Sequence, residues 1–341
     1  MFSMTRSMIN QNSESSQLAR KSSSFSGSGM ADLTAAVDNP PKWLHEAMQV
    51  PREEGFVTVD GCDIRYFRWG DRTKPSIIML HGFLAHSRCW AFIAPFLAEH
   101  YHVVAYDMSG MGDSGKRDAY PIEVRIDELL GVTEQTGLFG HESKPTIIAH
   151  SYGGQVAVSA VHEHPDKFAG MIICDLMIMR PSVLEANAEK FKPPGNQNAS
   201  RPNRVYPDYP TAKGRFVLAP PQKVEVPELF DFMAFHSLRE VDGGWQWKFD
   251  PGVFRREPGF ETKWAKTGER VVSAPGRKAV IYGKKSYLFN DDSAAYLTEL
   301  IDELEQMPFP IIDIPDARHH LMLDQPIALL TALKTVLAVW K

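Results

Sequence analysis

Five short, almost wholly apolar runs recur along the chain, at residues 76–80, 103–106, 146–149, 171–174 and 279–282, with stretches of helical periodicity between them. Runs of strand length that lack polar alternation are apolar on both faces. They call for a mostly parallel sheet covered by helices on each side. Helices are expected at 88–99, 121–136, 155–164 and 294–305, with a last one at 325–340. Upstream, 57–59 and 63–69 alternate apolar and polar residues around Asp60-Gly61, which reads as an antiparallel hairpin. The sequence has no internal repeat. The expected class is α/β.

The alternation lapses between 181 and 275. Residues 193–221 are dense in Pro, Asn, Arg and Tyr, and 228–238 has a helical apolar pattern. Because a strand resumes at 279, this stretch reads as a lid inserted over one end of the sheet. The expected organisation is a Ser-rich tail at 1–29, a first core part at 30–180, a lid at 181–275 and a second core part at 276–341. The tail carries one acid (Glu14) and three bases (Arg6, Arg20, Lys21) and has no apolar stretch of signal-peptide kind. It reads as disordered, with an organelle-targeting segment as the alternative; a cytoplasmic location is expected. A net charge of −5 offers no general attraction to nucleic acid or anionic lipid. The expected partner is a small-molecule substrate. No apolar run is long enough to span a bilayer, and the sequence leaves the oligomeric state open. Three sparse cysteines, Cys62, Cys89 and Cys174, do not make a disulfide framework.

The chemistry concentrates at 146–158. A strand, Thr146-Ile147-Ile148-Ala149, runs into His150-Ser151-Tyr152-Gly153-Gly154 and then into a helix. A small residue two before a serine and a glycine two after it let the chain turn sharply, lifting the serine above the sheet; Ala149 here takes the place of the usual first glycine. The turn also aims the Tyr152 amide at a developing oxyanion, at the positive end of the following helix. His81-Gly82-Phe83 follows an earlier strand, where a loop can supply a second amide, that of Phe83.

On these stretches, with 103–115 and 313–326, the chain from about Gly55 onward resembles the α/β-hydrolase fold, in the branch of small esterases, cofactor-free haloperoxidases and carbon–carbon bond hydrolases. The resemblance implies an inserted lid, a serine nucleophile at Ser151 and a histidine base after the last strand. His319 occupies that place in Ala317-Arg318-His319-His320. His319 and His320 lie among Asp313, Asp316 and Asp324 but lack helical i, i+4 ligand spacing, so no metal site is expected. The family most often places its acid after the strand at 279–282, where this chain has Ser286. Asp175, at the end of the preceding strand, is the favoured replacement; Asp291 and Asp292 are alternatives.

The resemblance implies acyl transfer to water, with Ser151 attacking, His319 moving the proton, and the amides of Phe83 and Tyr152 holding the oxyanion. This chemistry needs no metal or organic cofactor. The expected substrate is a small to medium carboxylic ester with an apolar acyl part. Alternatives are a carbon–carbon bond hydrolase, for which Arg180 is the charged residue available to bind a dienoate, and a non-catalytic ligand receptor. Gly110–Gly115 matches a dinucleotide-binding pattern, but three residues separate it from the strand and no clear strand-end acid follows about twenty residues later. Asp107 is expected to brace the oxyanion loop, and Trp245, Trp247, Phe249 and Phe254 to pack the lid or line an acyl pocket.

Overall fold

The computed structural model describes residues 29–186, 201–255 and 264–340. The Ser-rich segment up to residue 28 lies outside the described residues. Strands β1 (Arg52–Val59), β2 (Cys62–Trp69), β3 (Ser76–Leu80), β4 (His102–Tyr106), β5 (Thr146–His150), β6 (Gly170–Cys174), β7 (Leu238–Val241), β8 (Gly244–Trp247), β9 (Arg277–Gly283) and β10 (Ile311–Ile314) follow in chain order. Eight form one sheet in the order β1-β2-β4-β3-β5-β6-β9-β10, antiparallel through β1, β2 and β4 and parallel beyond.

The apolar runs are buried on both sides, as their lack of alternation requires. In β3, Ile77 and Met79 belong to one core cluster and Ile78 and Leu80 to the other, each without solvent exposure. The two clusters are the two faces of the sheet. Helices Ile122–Gln135, Tyr152–Glu163, Asp291–Glu303 and Pro326–Val339 fall close to their expected spans. The helix expected over 88–99 is broken: a 3₁₀ turn, Ser87–Trp90, is followed by a short helix, Ala94–Leu97. Pro95 inside the span has no amide hydrogen to continue the ladder.

Over the carboxyl ends of the strands lies a cap made of helices Tyr209–Lys213 and Pro227–His236 and the hairpin β7–β8. The sequence reading missed this hairpin, although Asp242-Gly243 carried a hairpin signal; Gly243 has φ 83°, a conformation that the tight turn needs. The cap is tied to the core through Asp250, whose amide donates to Gly110 O (2.7 Å) and whose carboxylate accepts from Tyr120 Oη (2.5 Å). Lys248 Nζ pairs with Asp113 at 2.6 Å. The helix Thr267–Ser273, within the stretch read as lid, packs on the core. Gln155 Nε2 donates to Thr267 Oγ1 (2.7 Å), and Val271 and Val272 join the core cluster of Val156 and Ala160.

Candidate active site

Ser151 stands alone between β5 and the helix Tyr152–Glu163, at φ 51°, ψ −121°. This lies outside the regions a residue with a Cβ adopts freely, so the surrounding structure must impose it. The imposing contacts are backbone ones: Ser151 N donates to Cys174 O (2.9 Å) and Gly154 N to Ser151 O (2.7 Å). The glycines are required by crowding. A Cβ on Gly153 would fall 2.7 Å from His81 O, and one on Gly82 would fall 2.9 Å from His150 Nδ1 and 3.3 Å from Ser151 Cβ. The His81–Phe83 loop therefore lies directly against the serine turn. The Tyr152 amide, in the first turn of its helix, has no intrahelical acceptor. Among the described residues no hydrogen bond uses the Phe83 amide. The Phe83 ring meets Tyr152 and Phe254 edge-on, at 5.8 and 5.6 Å.

Asp175 follows β6 as Ser151 follows β5, and it too has positive φ, 51°. Its carboxylate is fully buried and holds three donors' worth of contacts. Oδ1 lies 2.8 Å from His319 Nδ1 and accepts from Ser286 Oγ at 2.7 Å; Oδ2 accepts from Gly283 N at 2.8 Å. Ser286, where the resemblance expected an acid, instead donates to the acid of the neighbouring strand. Asp291 and Asp292 open the helix Asp291–Glu303 and are exposed. Asp291 accepts from Tyr282 Oη (3.0 Å) and Asp292 from Arg180 (3.0 Å), and neither bonds His319. Arg180 also forks onto Glu299, at 2.5 and 2.7 Å. It is therefore occupied, which removes the charge expected for a dienoate pocket.

His319 is buried, and burial lowers its pKa to about 3, so the ring rests neutral with Nε2 free to accept a proton. Burial pushes Asp175 up to about 7, opposed by the hydrogen bonds from Ser286 and Gly283 and by His150. His150 Nε2 lies 2.9 Å from the His319 carbonyl, fixing the backbone that carries His319. Asp107 braces the loop opposite: its Oδ1 accepts from Ser87 N (2.7 Å) and Ser87 Oγ (2.5 Å), and Oδ2 from Asp113 N (2.8 Å). The glycine-rich turn wraps this carboxylate, with Gly112 at φ 56° against it.

A cavity of about 270 Å³ lies between cap and core. Phe83, His86, His150 and His320 wall it on the core side and Phe216, Leu218, Met233, Trp247 and Phe249 on the cap side; it adjoins Ser151 through Phe83 and His150. Trp245 does not line it and packs on Tyr209 at 5.1 Å. Cys62, Cys89 and Cys174 are buried free thiols. Among the described residues there is no group of side chains that could hold a metal ion, and no helix long and apolar enough to cross a membrane.

The profile of the alpha/beta hydrolase family matches residues 77–333. A pyrethroid hydrolase of Sphingobium wenxiniae is 28% identical over 172 residues, 50% of this chain and 55% of that protein. A monoacylglycerol lipase, abhd6-B, of Xenopus laevis is 33% identical over 112 residues, 32% of each, and epoxide hydrolase 4 of Mus musculus is 26% identical over 142 residues, 41% of this chain and 38% of that one. The matched stretches thus span a third to about half of these relatives' length. Among solved structures, an esterase from Mycobacterium tuberculosis superposes with TM-score 0.64 and 21% identity, covering 91% of this chain and 96% of that one. A thioesterase domain from the curacin biosynthetic pathway gives TM-score 0.64 at 20% identity, covering 83% and 99%. These likenesses are to the fold.

Proposed function

Because this chain belongs to the α/β-hydrolase family, we propose that it is a serine hydrolase that cleaves a small to medium carboxylic ester through an acyl-enzyme intermediate. The observation that carries this reading is the serine held at φ 51°, ψ −121° on the strand next to a buried His319–Asp175 pair at 2.8 Å. Such strain at a strand end, beside a neutral imidazole whose other nitrogen is anchored, fits an activated nucleophile.

His319 Nε2 takes the Ser151 hydroxyl proton as Oγ adds to the ester carbonyl. The developing oxyanion is received by the amides of Phe83 and Tyr152. His319 then gives its proton to the leaving alcohol. In the second half a water loses its proton to His319 and adds to the acyl-enzyme; the bond to Ser151 Oγ then breaks, Oγ takes the proton back from His319 and the acid is released. Asp175 holds Nδ1–H throughout and stabilises the imidazolium. The mechanism uses no cofactor. Relatives named for lipase and pyrethroid hydrolysis, and a structural neighbour titled an esterase, support ester cleavage. The relative named epoxide hydrolase does not extend here, since displacement at carbon in that branch uses an aspartate where this chain has Ser151.

The cavity volume, near the lower end for small-molecule sites, points to a short acyl or alcohol part. Assay of p-nitrophenyl esters from acetate to dodecanoate is expected to give a maximum of kcat/KM at short to medium length. Hydrolysis of none of them would overturn the reading.

A further inference from the structure

Two segments far apart in sequence meet along the seam between cap and core. The helix Gly29–Ala36 precedes the sheet, yet it packs on the cap helix Pro227–His236. Leu33, fully buried, and Val37 just after the helix join the core cluster that holds Leu229, Phe232 and Met233 of the cap helix. Met233 in turn lines the cavity. One wall of the cavity is thus backed by a segment that belongs to neither the sheet nor the cap, and shared apolar burial holds the two together.

Charges cross the same seam. On the core, Arg88 Nη1 donates to Asp113 Oδ2 at 2.8 Å. On the cap, Lys248 Nζ reaches Asp113 Oδ1 at 2.6 Å. One carboxylate therefore holds two cations, one from each side. Lys248 sits between Trp247 and Phe249, and all three line the cavity. The second acid paired with Arg88 is Asp32, on the Gly29–Ala36 helix. Its Oδ2 lies 3.6 Å from Arg88 Nε and accepts from Arg52 Nη2 at 2.6 Å. The Arg52 and Arg88 side chains are only 3% and 9% exposed, so water does little to screen them. Burial lowers the Lys248 pKa; Asp113 opposes this and Arg88 adds to it, which is the mark of two cations repelling across the seam. Removing the Asp32 charge therefore acts in one direction. A buried cation that loses an acid is costly. Arg88 is fixed to the core by the turn Ser87–Trp90, whose Ser87 bonds Asp107, whereas Lys248 belongs to the cap. Moving the cap outward separates the two cations and admits water to both.

We propose that Asp32 is a positioning residue for the substrate cavity: the Gly29–Ala36 helix holds the cap closed on the core, and in doing so limits the length of acyl chain that the cavity admits. The Asp32 carboxylate offsets the repulsion between Arg88 and Lys248, and Leu33 and Val37 anchor the helix that carries Met233. With the cap closed, the cavity is confined to about 270 Å³. The proposal rests on the serine hydrolase reading of the same cavity, and its test separates the two.

The intact chain is compared as wild type, Asp32→Asn and Asp32→Glu. Hydrogen–deuterium exchange follows the cap at 227–249 and the strands at 76–80 and 146–150, and the ratio of kcat/KM for p-nitrophenyl decanoate to that for the butyrate reports acyl length. Binding of methyl octanoate and methyl butyrate to Ser151→Ala, with and without Asp32→Asn, is measured by calorimetry and requires no turnover. In Asp32→Asn, exchange in the cap is expected to rise about tenfold with the strands unchanged, and the decanoate-to-butyrate ratio to rise about tenfold as well. Asp32→Glu, which keeps the charge, is expected to restore most of both. Taking the ratio within one variant cancels any general loss of folded protein. Cap exchange unchanged in Asp32→Asn, exchange raised equally in the strands, or an unchanged length ratio overturns the proposal. If wild type hydrolyses neither ester, but Asp32→Asn loosens the cap and shifts the Ser151→Ala binding ratio toward the octanoate, the positioning role stands and the hydrolase reading falls.

Discussion

Asp175 has no contact with solvent, and a bare carboxylate there would rather be protonated. Three groups oppose this: the Ser286 hydroxyl, the Gly283 amide and His150. Removing one of them has a definite sign. Ser286→Ala takes away a donor, raises the Asp175 pKa further, and is expected to lower kcat/KM by about tenfold in an ester assay. Asp175→Asn keeps the volume but removes the charge that stabilises imidazolium; kcat should fall by about 10²–10⁴ with circular dichroism unchanged. Near-normal turnover in that variant would pass the role to Asp291 or Asp292. Ser286 Oγ and His319 Nδ1 meet the same Asp175 oxygen, so a carboxylate at 286 is within reach of the base. Asp175→Asn/Ser286→Asp should therefore recover at least tenfold over the single variant. The sequence alone revealed that the acid was missing at 286. It could not reveal that the hydroxyl there supports the acid one strand away, because that contact depends on β6 pairing with β9 across a long intervening segment.

At the scale of elements, the proposed function depends on two adjacent strand ends, β5 and β6, each followed by a residue with positive φ. The turn after β5 closes only because Gly153 leaves room for the His81 carbonyl. Gly153→Val is expected to prevent that approach, abolishing activity and lowering thermal stability; wild-type activity and Tm in this variant would mean that the turn is not crowded as described. The turn was legible because its residue pattern and its flanking strand and helix are contiguous. The cap was less so. Outside the helical pattern at 228–238, its polar, proline-rich sequence gave no period to follow, and the hairpin β7–β8 is only four residues on each side. Its aromatic residues were legible as lid or pocket residues, but only the folded cap separates Trp247, which lines the cavity, from Trp245, which packs on Tyr209.

Seven of the twelve histidines are buried. Burial holds His86, His150 and His319 down to about 3 and His102 to about 4. In the unfolded chain each titrates near 6.5, so between these values the unfolded state binds the extra protons. Stability is then fully present above about pH 6.5 and falls as pH drops toward 4. Asp175, raised to about 7, opposes this in the same window by binding a proton in the folded state. His81, His236 and His320 are held down in the same direction, so net uptake on unfolding at pH 5 is expected to exceed about three protons, read as the slope of unfolding free energy against pH. A flat slope between pH 6.5 and 5 would contradict the burial of neutral imidazoles. The parallel sheet beneath was legible from its apolar runs, since burial on both faces leaves a mark in every strand. The burial of so many polar rings was not, because each is buried by residues distant in sequence.

The central claim is that Ser151 is a nucleophile activated by His319. Labelling with a fluorophosphonate, read by intact mass, tests it in wild type, Ser151→Ala and His319→Ala. The account predicts one adduct per chain in wild type and none in either variant. A folded wild type that takes up no label, or a Ser151→Ala protein that labels as wild type does, would contradict it.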